Sequence, residues 1–317
     1  TLRMIEDAIT RILKKQKDNV TFEDVKKYYD NILHPDKLNF DDQDVYKKIF
    51  HKGKWAGVFQ FAETGAQAFC QRTKPTSLID IAAITSIFRP GPLSAGVDKK
   101  YVKAIKNPED IKYIHPTVKE VTEETHGFLI FQEQIALLAH KLGKNISLDE
   151  GNKSHAVGYS ILSYQCAWLL NYYPAEWLAA FLNKEPETRK EKAINVVKTL
   201  GYDIQEVNIN LSGRSWDIST DGKLVQPLTS IKGLGDKAMD QILKHRPFNN
   251  VEELLFNENI SYSKLNKKSL DVLVRSGACD SISDSRFKNC KHLWLSIAFD
   301  RPKTEKKLEE NITKYLR

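Results

Sequence analysis

No stretch of this sequence reaches the ~20 consecutive apolar residues that a membrane span requires. The most apolar long segment, Tyr159 to Leu182, is interrupted by Gln165, Asn171, Pro174 and Glu176. A water-soluble chain with no membrane partner is expected. Cysteine is scarce: Cys70, Cys166, Cys279 and Cys290 form no CxxC pair for zinc and no dense disulfide framework, which fits a reducing, cytoplasmic setting. The 15 glycines and 11 prolines in 317 residues exclude collagen-like and low-complexity chains. No P-loop or nucleophile-elbow serine occurs, and His115, His126 and His140 lack ligand spacing to cysteine or to one another. The chain starts at Thr1 with no charged-then-apolar leader, so a piece of a longer protein is expected.

What is present is charge and helical periodicity. Acidic residues number 41 against 48 Lys and Arg, a net charge of +7 that suits a polyanionic partner. Leu2 to Gln16 and Val20 to Leu33 carry apolar residues at helical spacing, and the acidic run Asp41, Asp42, Gln43, Asp44 leads into a further helix. Leu78 to Phe88 reads as a buried helix stopped by Arg89-Pro90-Gly91-Pro92. Helices are also predicted over Gln132 to Leu142, on either side of Pro174, and up to Gly201. Alternation appears only between Tyr202 and Pro227, with a turn at Asp221-Gly222. The expected fold class is mostly α: a multi-helix domain with a small β insertion and a helical C-terminal region.

Five motifs hold chemical interest, each with an ordinary alternative. His34-Pro35-Asp36 matches a chaperone-stimulating tripeptide but reads more simply as a turn. Asp41, Asp42 and Asp44 could converge on a metal or cap the helix they precede. Ile231 to Ala238, IKGLGDKA, fits a helix-hairpin-helix, in which glycines let a phosphate approach and N–H groups at the second helix start receive it. Lys232, Lys237 and Lys244 strengthen that reading over a plain packing turn or a dinucleotide loop, for which Pro227 to Ser230 is a poor preceding strand. Lys153-Ser154-His155, after Asn152, forms either a phosphate-binding corner or a plain helix start. Arg89 is either a phosphate or base contact or a packed arginine.

Six collinear strings together resemble one family. GVFQF at Gly57, FRPGPLSAG at Phe88, ETHGFLIFQEQI at Glu124, the run from Asn152 to Leu182, IKGLGDKA at Ile231 and SGACD at Ser276 resemble the alpha subunit of bacterial DNA polymerase III, the family C replicative polymerase and its phage versions. The resemblance implies a fingers domain over residues 1–200, internally shortened near 151–152, and a helix-hairpin-helix DNA-binding region over 228–285; alternation marks the small β connection over 201–227, and composition a charged helix or tail over 286–317. By resemblance, Arg89, Gln132, Glu133, Gln134, Lys153, Ser154 and His155 line or support the pocket for the incoming nucleotide, and Gly233, Gly235 and Lys237 touch DNA. The implied partners are template and primer DNA, a dNTP, the palm-containing remainder of the polymerase and a sliding clamp.

Two departures bear on catalysis. The family's palm aspartates, in PDxDxDF-like and DFLGL-like strings, do not occur here, so no catalytic or metal-ligating residue is expected and Mg²⁺ belongs to the intact parent enzyme. The family's basic insert between the QEQ helix and NKSHA is replaced by a direct run from Gln134 to Asn152. The expectation is a partial polymerase that binds but does not catalyse alone; the alternatives are a stand-alone helix-hairpin-helix DNA-binding protein and one chain of a split polymerase.

Overall fold

The computed structural model describes residues 1–144 and 152–316, without the side chains of Asn152 and Ser154. The chain is mostly α-helical with one small sheet, and it forms two compact units, Thr1–Phe181 and Leu182–Arg317. No helix of the described residues is long and apolar enough to cross a membrane.

In the first unit, the periodic apolar residues of helix Leu2–Lys14 put Ile5, Ala8, Ile9 and Ile12 into the core. Helix Phe22–Tyr28 starts with a capping box: Asp24 N–H donates to the Thr21 hydroxyl and the Thr21 N–H to the Asp24 carboxylate, at 3.3 and 2.8 Å. It widens into a π turn, Tyr29–Leu33, closed by the His34 N–H on the Tyr29 carbonyl. The short helix Gln43–Val45 widens in the same way through Tyr46–Phe50.

Helix Leu78–Ile87 is apolar on every side, so it can only be an interior helix. Ile81, Ala82, Ala83 and Ile84 are fully buried, and the helix packs along the longest one, Asn152–Tyr172. Pro90 then does more than stop it. It occupies the first position of a new short helix, Pro90–Ser94, where its missing N–H breaks no bond. Helix Val97–Lys106 follows and buries Tyr101 among Phe69, Phe128 and His126. Helices Pro116–Thr122 and Gln132–Lys141 pack together, and Pro174 divides Asn152–Tyr172 from Pro174–Lys184.

The capping box of Leu78–Ile87 contains a buried carboxylate. Asp80 accepts hydrogen bonds from the Thr76 N–H, the Thr76 hydroxyl and the Ser77 N–H, and its other oxygen lies 3.6 Å from His126 Nε2. Burial works to raise its pKa, but the His126, Thr76 and Ser77 hydrogen bonds outweigh that and hold it below the ordinary 3.8. A lowered native pKa stabilises above the unfolded value and is lost as pH falls through the native one. Asp80→Asn should therefore cost about 1–3 kcal/mol at neutral pH, with the gap to the parent chain shrinking below about pH 4, as read from thermal melts at several pH values.

In the second unit, helix Glu187–Thr199 stops just before Gly201 and leads to three two-residue strands: β1 (Ile204–Gln205), β2 (Asp217–Ile218) and β3 (Leu224–Val225). Their order is β1-β3-β2, with β3 parallel to β1 and antiparallel to β2. Helices Asp236–His245, Val251–Leu255, Lys267–Arg275, Cys290–Trp294 and Glu305–Lys314 enclose an apolar core. The charged C-terminal segment seats itself through a few residues: Leu308 and Asn311 are fully buried, and the Asn311 amide donates to the Ser296 and Asp300 carbonyls. All four cysteines are free thiols; Cys70, Cys166 and Cys279 are buried and Cys290 is exposed.

Candidate functional site

The corner at the start of helix Asn152–Tyr172 joins two of the sequence candidates directly. The Lys153 N–H donates to Glu133 Oε1 at 2.6 Å, so Glu133 caps a helix start that would otherwise leave its N–H groups unpaired. The Lys153 ammonium pairs with Glu124 at 2.5 Å and lies 5.7 Å from the Phe131 ring centroid. An anionic ligand reaching Lys153 must displace Glu124 or share the cation with it. The Ser154 side chain, and the shortened join near 151–152, fall outside the described residues.

Gln134 faces inward, where it can support the corner but not line it. It is buried, its amide oxygen accepts the Ile130 and Phe131 N–H groups, and its amide nitrogen donates to the Val121 carbonyl and the Thr125 hydroxyl. These bonds brace the start of its own helix and occupy both ends of the side chain. Gln132, one residue before Glu133, is exposed. His155 is exposed as well and begins a row of rings: its imidazole lies 5.6 Å from Tyr159, which lies 5.7 Å from Phe59. Phe59 belongs to the GVFQF loop, which turns at two left-handed residues, Gly57 and Gln60. Arg89 is exposed and makes no side-chain hydrogen bond or ion pair among the described residues.

The hairpin of the second unit gathers all five of its candidates within one loop and one helix. Its first arm is a single 3₁₀ turn, Leu228–Ser230, because β3 ends only two residues before Pro227. Gly233 takes φ +89°, a conformation that only glycine adopts without strain. Gly235 is different: its φ of −80° suits any residue, and a Cβ built there meets no atom within 4 Å. The fold does not require glycine at 235, and the space in front of it is open. The N–H groups of Gly235, Asp236 and Lys237 donate to no group among the described residues, as expected at a helix start. Lys232, Lys237 and Lys244 are exposed and unpaired, with Lys237 and Lys244 two turns apart on one face.

Arg214, which no local spacing marks, completes this surface. It binds Asp236 at 2.9 Å and Asp240 at 2.5 Å, offsetting half the charge of the hairpin helix's two acids, so that with Lys232, Lys237 and Lys244 the surface stays net positive. The other early motifs are structural. Asp36 N–H caps on His34 Nδ1 at 3.2 Å, and Asp42 accepts both the Asp44 N–H and the Tyr172 hydroxyl. Among the described residues no three His, Cys, Asp or Glu side chains are placed to hold a metal ion. A dinucleotide site is also disfavoured, because a 3₁₀ turn stands where a strand is needed.

Comparison with known proteins gives one match within each unit. Residues 1–154 match the bacterial DNA polymerase III alpha subunit finger domain, and residues 201–289 match a helix-hairpin-helix motif. The chain is similar to DNA polymerase III subunit alpha of Borreliella burgdorferi, 29% identical over 86% of this chain and 28% of that protein. It is also similar to the same subunit of Treponema pallidum, 27% identical over 80% and 26%, and of Aquifex aeolicus, 28% over 79% and 26%. The chain spans about a quarter of the length of these relatives.

Proposed function

Since the chain belongs to the DNA polymerase III alpha-subunit family, we propose that it is the fingers and hairpin portion of a template-directed DNA polymerase, which holds duplex DNA by its backbone and helps receive the incoming dNTP. The observation that carries this reading is the hairpin: free N–H groups, an open approach at Gly235 and the unpaired Lys232 and Lys237 flank its turn, with the unpaired Lys244 about 10 Å farther along the same helix face, where a neighbouring phosphate would sit. Phosphate contacts of this kind position DNA without reading its sequence, as a replicative enzyme requires. In the first unit, Arg89, Gln132, Lys153, Ser154 and His155 serve the nucleotide, while Glu133 caps and Gln134 braces the elements that carry them.

Nucleotidyl transfer needs converging carboxylates for two Mg²⁺ ions. The donor sets among the described residues do not fit such a pair, so no step is assigned to metal on this chain. The metal-holding carboxylates belong to the palm-containing remainder of the polymerase.

Two measurements test the proposal. Duplex binding should weaken by roughly a hundredfold or more between about 50 and 200 mM salt, as expected when several phosphates are neutralised. Primer extension with Mg²⁺ and dNTPs should give no incorporation with the purified chain alone. Incorporation by the chain alone would overturn the division of labour, and incorporation only after adding a palm-containing chain would identify a split enzyme.

A further inference from the structure

We propose that helix Val97–Lys106 of the first unit is a second DNA-backbone surface, built from Lys99, Lys100, Lys103 and Lys106; the inference rests on the DNA-binding reading above. Each helical residue advances about 100°, so these four side chains occupy an arc of about 120° directly opposite the buried Tyr101. All four are exposed, and none makes an ion pair or side-chain hydrogen bond among the described residues.

Lysines elsewhere in this unit are either neutralised in place or, like Lys14, Lys27, Lys47 and Lys52, unpaired; what sets these four apart is that they share one helix face. Lys17, Lys26, Lys48, Lys119 and Lys153 each hold a carboxylate, at 2.7, 2.5, 2.7, 3.7 and 2.5 Å. The helix's own acid, Asp98, lies on its inward side and pairs with Arg72 at 3.6 Å. The next acids, Glu109 and Asp110, come after the C-terminal Asn107 and pair with none of the four lysines. The outward face therefore carries four positive charges and no negative one.

From Lys99 to Lys106 the helix rises about 10 Å, a length over which duplex DNA presents about six phosphates. The face carries no aromatic side chain, and single strands are gripped largely by stacking on aromatic rings. Duplex backbone is the ligand this chemistry fits.

The test uses the full chain and a fluorescein-labelled duplex, with a single strand of equal length as comparison. The variant Lys99→Gln, Lys100→Gln, Lys103→Gln, Lys106→Gln should bind the duplex about tenfold more weakly near 100 mM salt, and the slope of log K against log salt should flatten by about 2 to 4. Arginine at all four positions should restore parental binding, and unchanged melting curves would show that glutamine does not disturb the fold. Unchanged affinity and slope in the glutamine variant, while Lys237→Ala weakens binding, would overturn this inference and leave the hairpin reading intact. Loss confined to the single strand would also overturn it. Failure of the parent chain to bind duplex at all would instead sink the functional reading beneath it.

Discussion

Replacing Trp177 by alanine is expected to lower the melting temperature by roughly 10 °C or more, corresponding to about 3–5 kcal/mol in a unit of this size. The indole is fully buried, and its Nε1–H donates to the Ala56 carbonyl at 2.8 Å. Alanine leaves a large cavity and also orphans that carbonyl, which adds about 1 kcal/mol or more. The neighbouring Gly57 makes the same point from the other side. It sits at φ +73°, and a Cβ there would approach the indole to 3.1 Å and the Met4 Cε to 2.6 Å. Trp177 thus anchors the GVFQF loop, and its loss should disorder the loop as well as weaken the core. Thermal melts followed by tryptophan fluorescence and circular dichroism check both; a shift below about 3 °C would mean that the loop is held by other contacts.

The largest functional effect is expected at the hairpin. Gly235→Val with Lys237→Ala should reduce duplex affinity roughly 30- to 100-fold, equally for all sequences, because a branched side chain fills the open approach and a cation is lost. This corresponds to about 2–3 kcal/mol, the range for one or two hydrogen bonds to a charged group. Since the backbone at 235 suits any residue and its surroundings are empty, the fold should lose no more than the few tenths to 1 kcal/mol that a poorer helix cap costs. Gly233 offers no such clean experiment, because its φ of +89° would confound binding with strain. Fluorescence anisotropy across several duplexes measures the loss, and unchanged affinity would remove the hairpin from the DNA-binding account.

Much of this architecture can be read from residue order because it depends on local rules. Leu78–Ile87 announces a buried helix by lacking a polar side, and Pro174 divides two helices because it cannot continue one. The hairpin was also legible, because glycine spacing and flanking lysines are local signals. Its shortened first arm was not, since the limit comes from where β3 ends.

The nucleotide corner shows the limits more plainly. Gln134 lies beside Gln132 and Glu133 in a string whose resemblance treats the three alike, yet its helical phase turns it inward to brace Ile130 and Phe131. The ion pair of Lys153 with Glu124 spans 29 positions, and Arg214 reaches acids 22 and 26 positions away. No periodicity encodes such separations; tertiary packing creates them. The left-handed turn at Gln60 is equally silent, because that side chain gives no hint of a φ of +66°.

The distribution of cysteines has a practical consequence. Burial pushes the Cys70 thiol up, and Cys166 and Cys279 up to about 12, so these three combine shielding with scarce thiolate. Cys290 alone is exposed, though partial burial and the Asp280 charge push its thiol up as well, so labelling calls for mildly alkaline buffer. The unmutated chain therefore offers one natural attachment point for a maleimide dye, in the second unit, from which approach of labelled DNA can be followed by energy transfer without engineering any residue away.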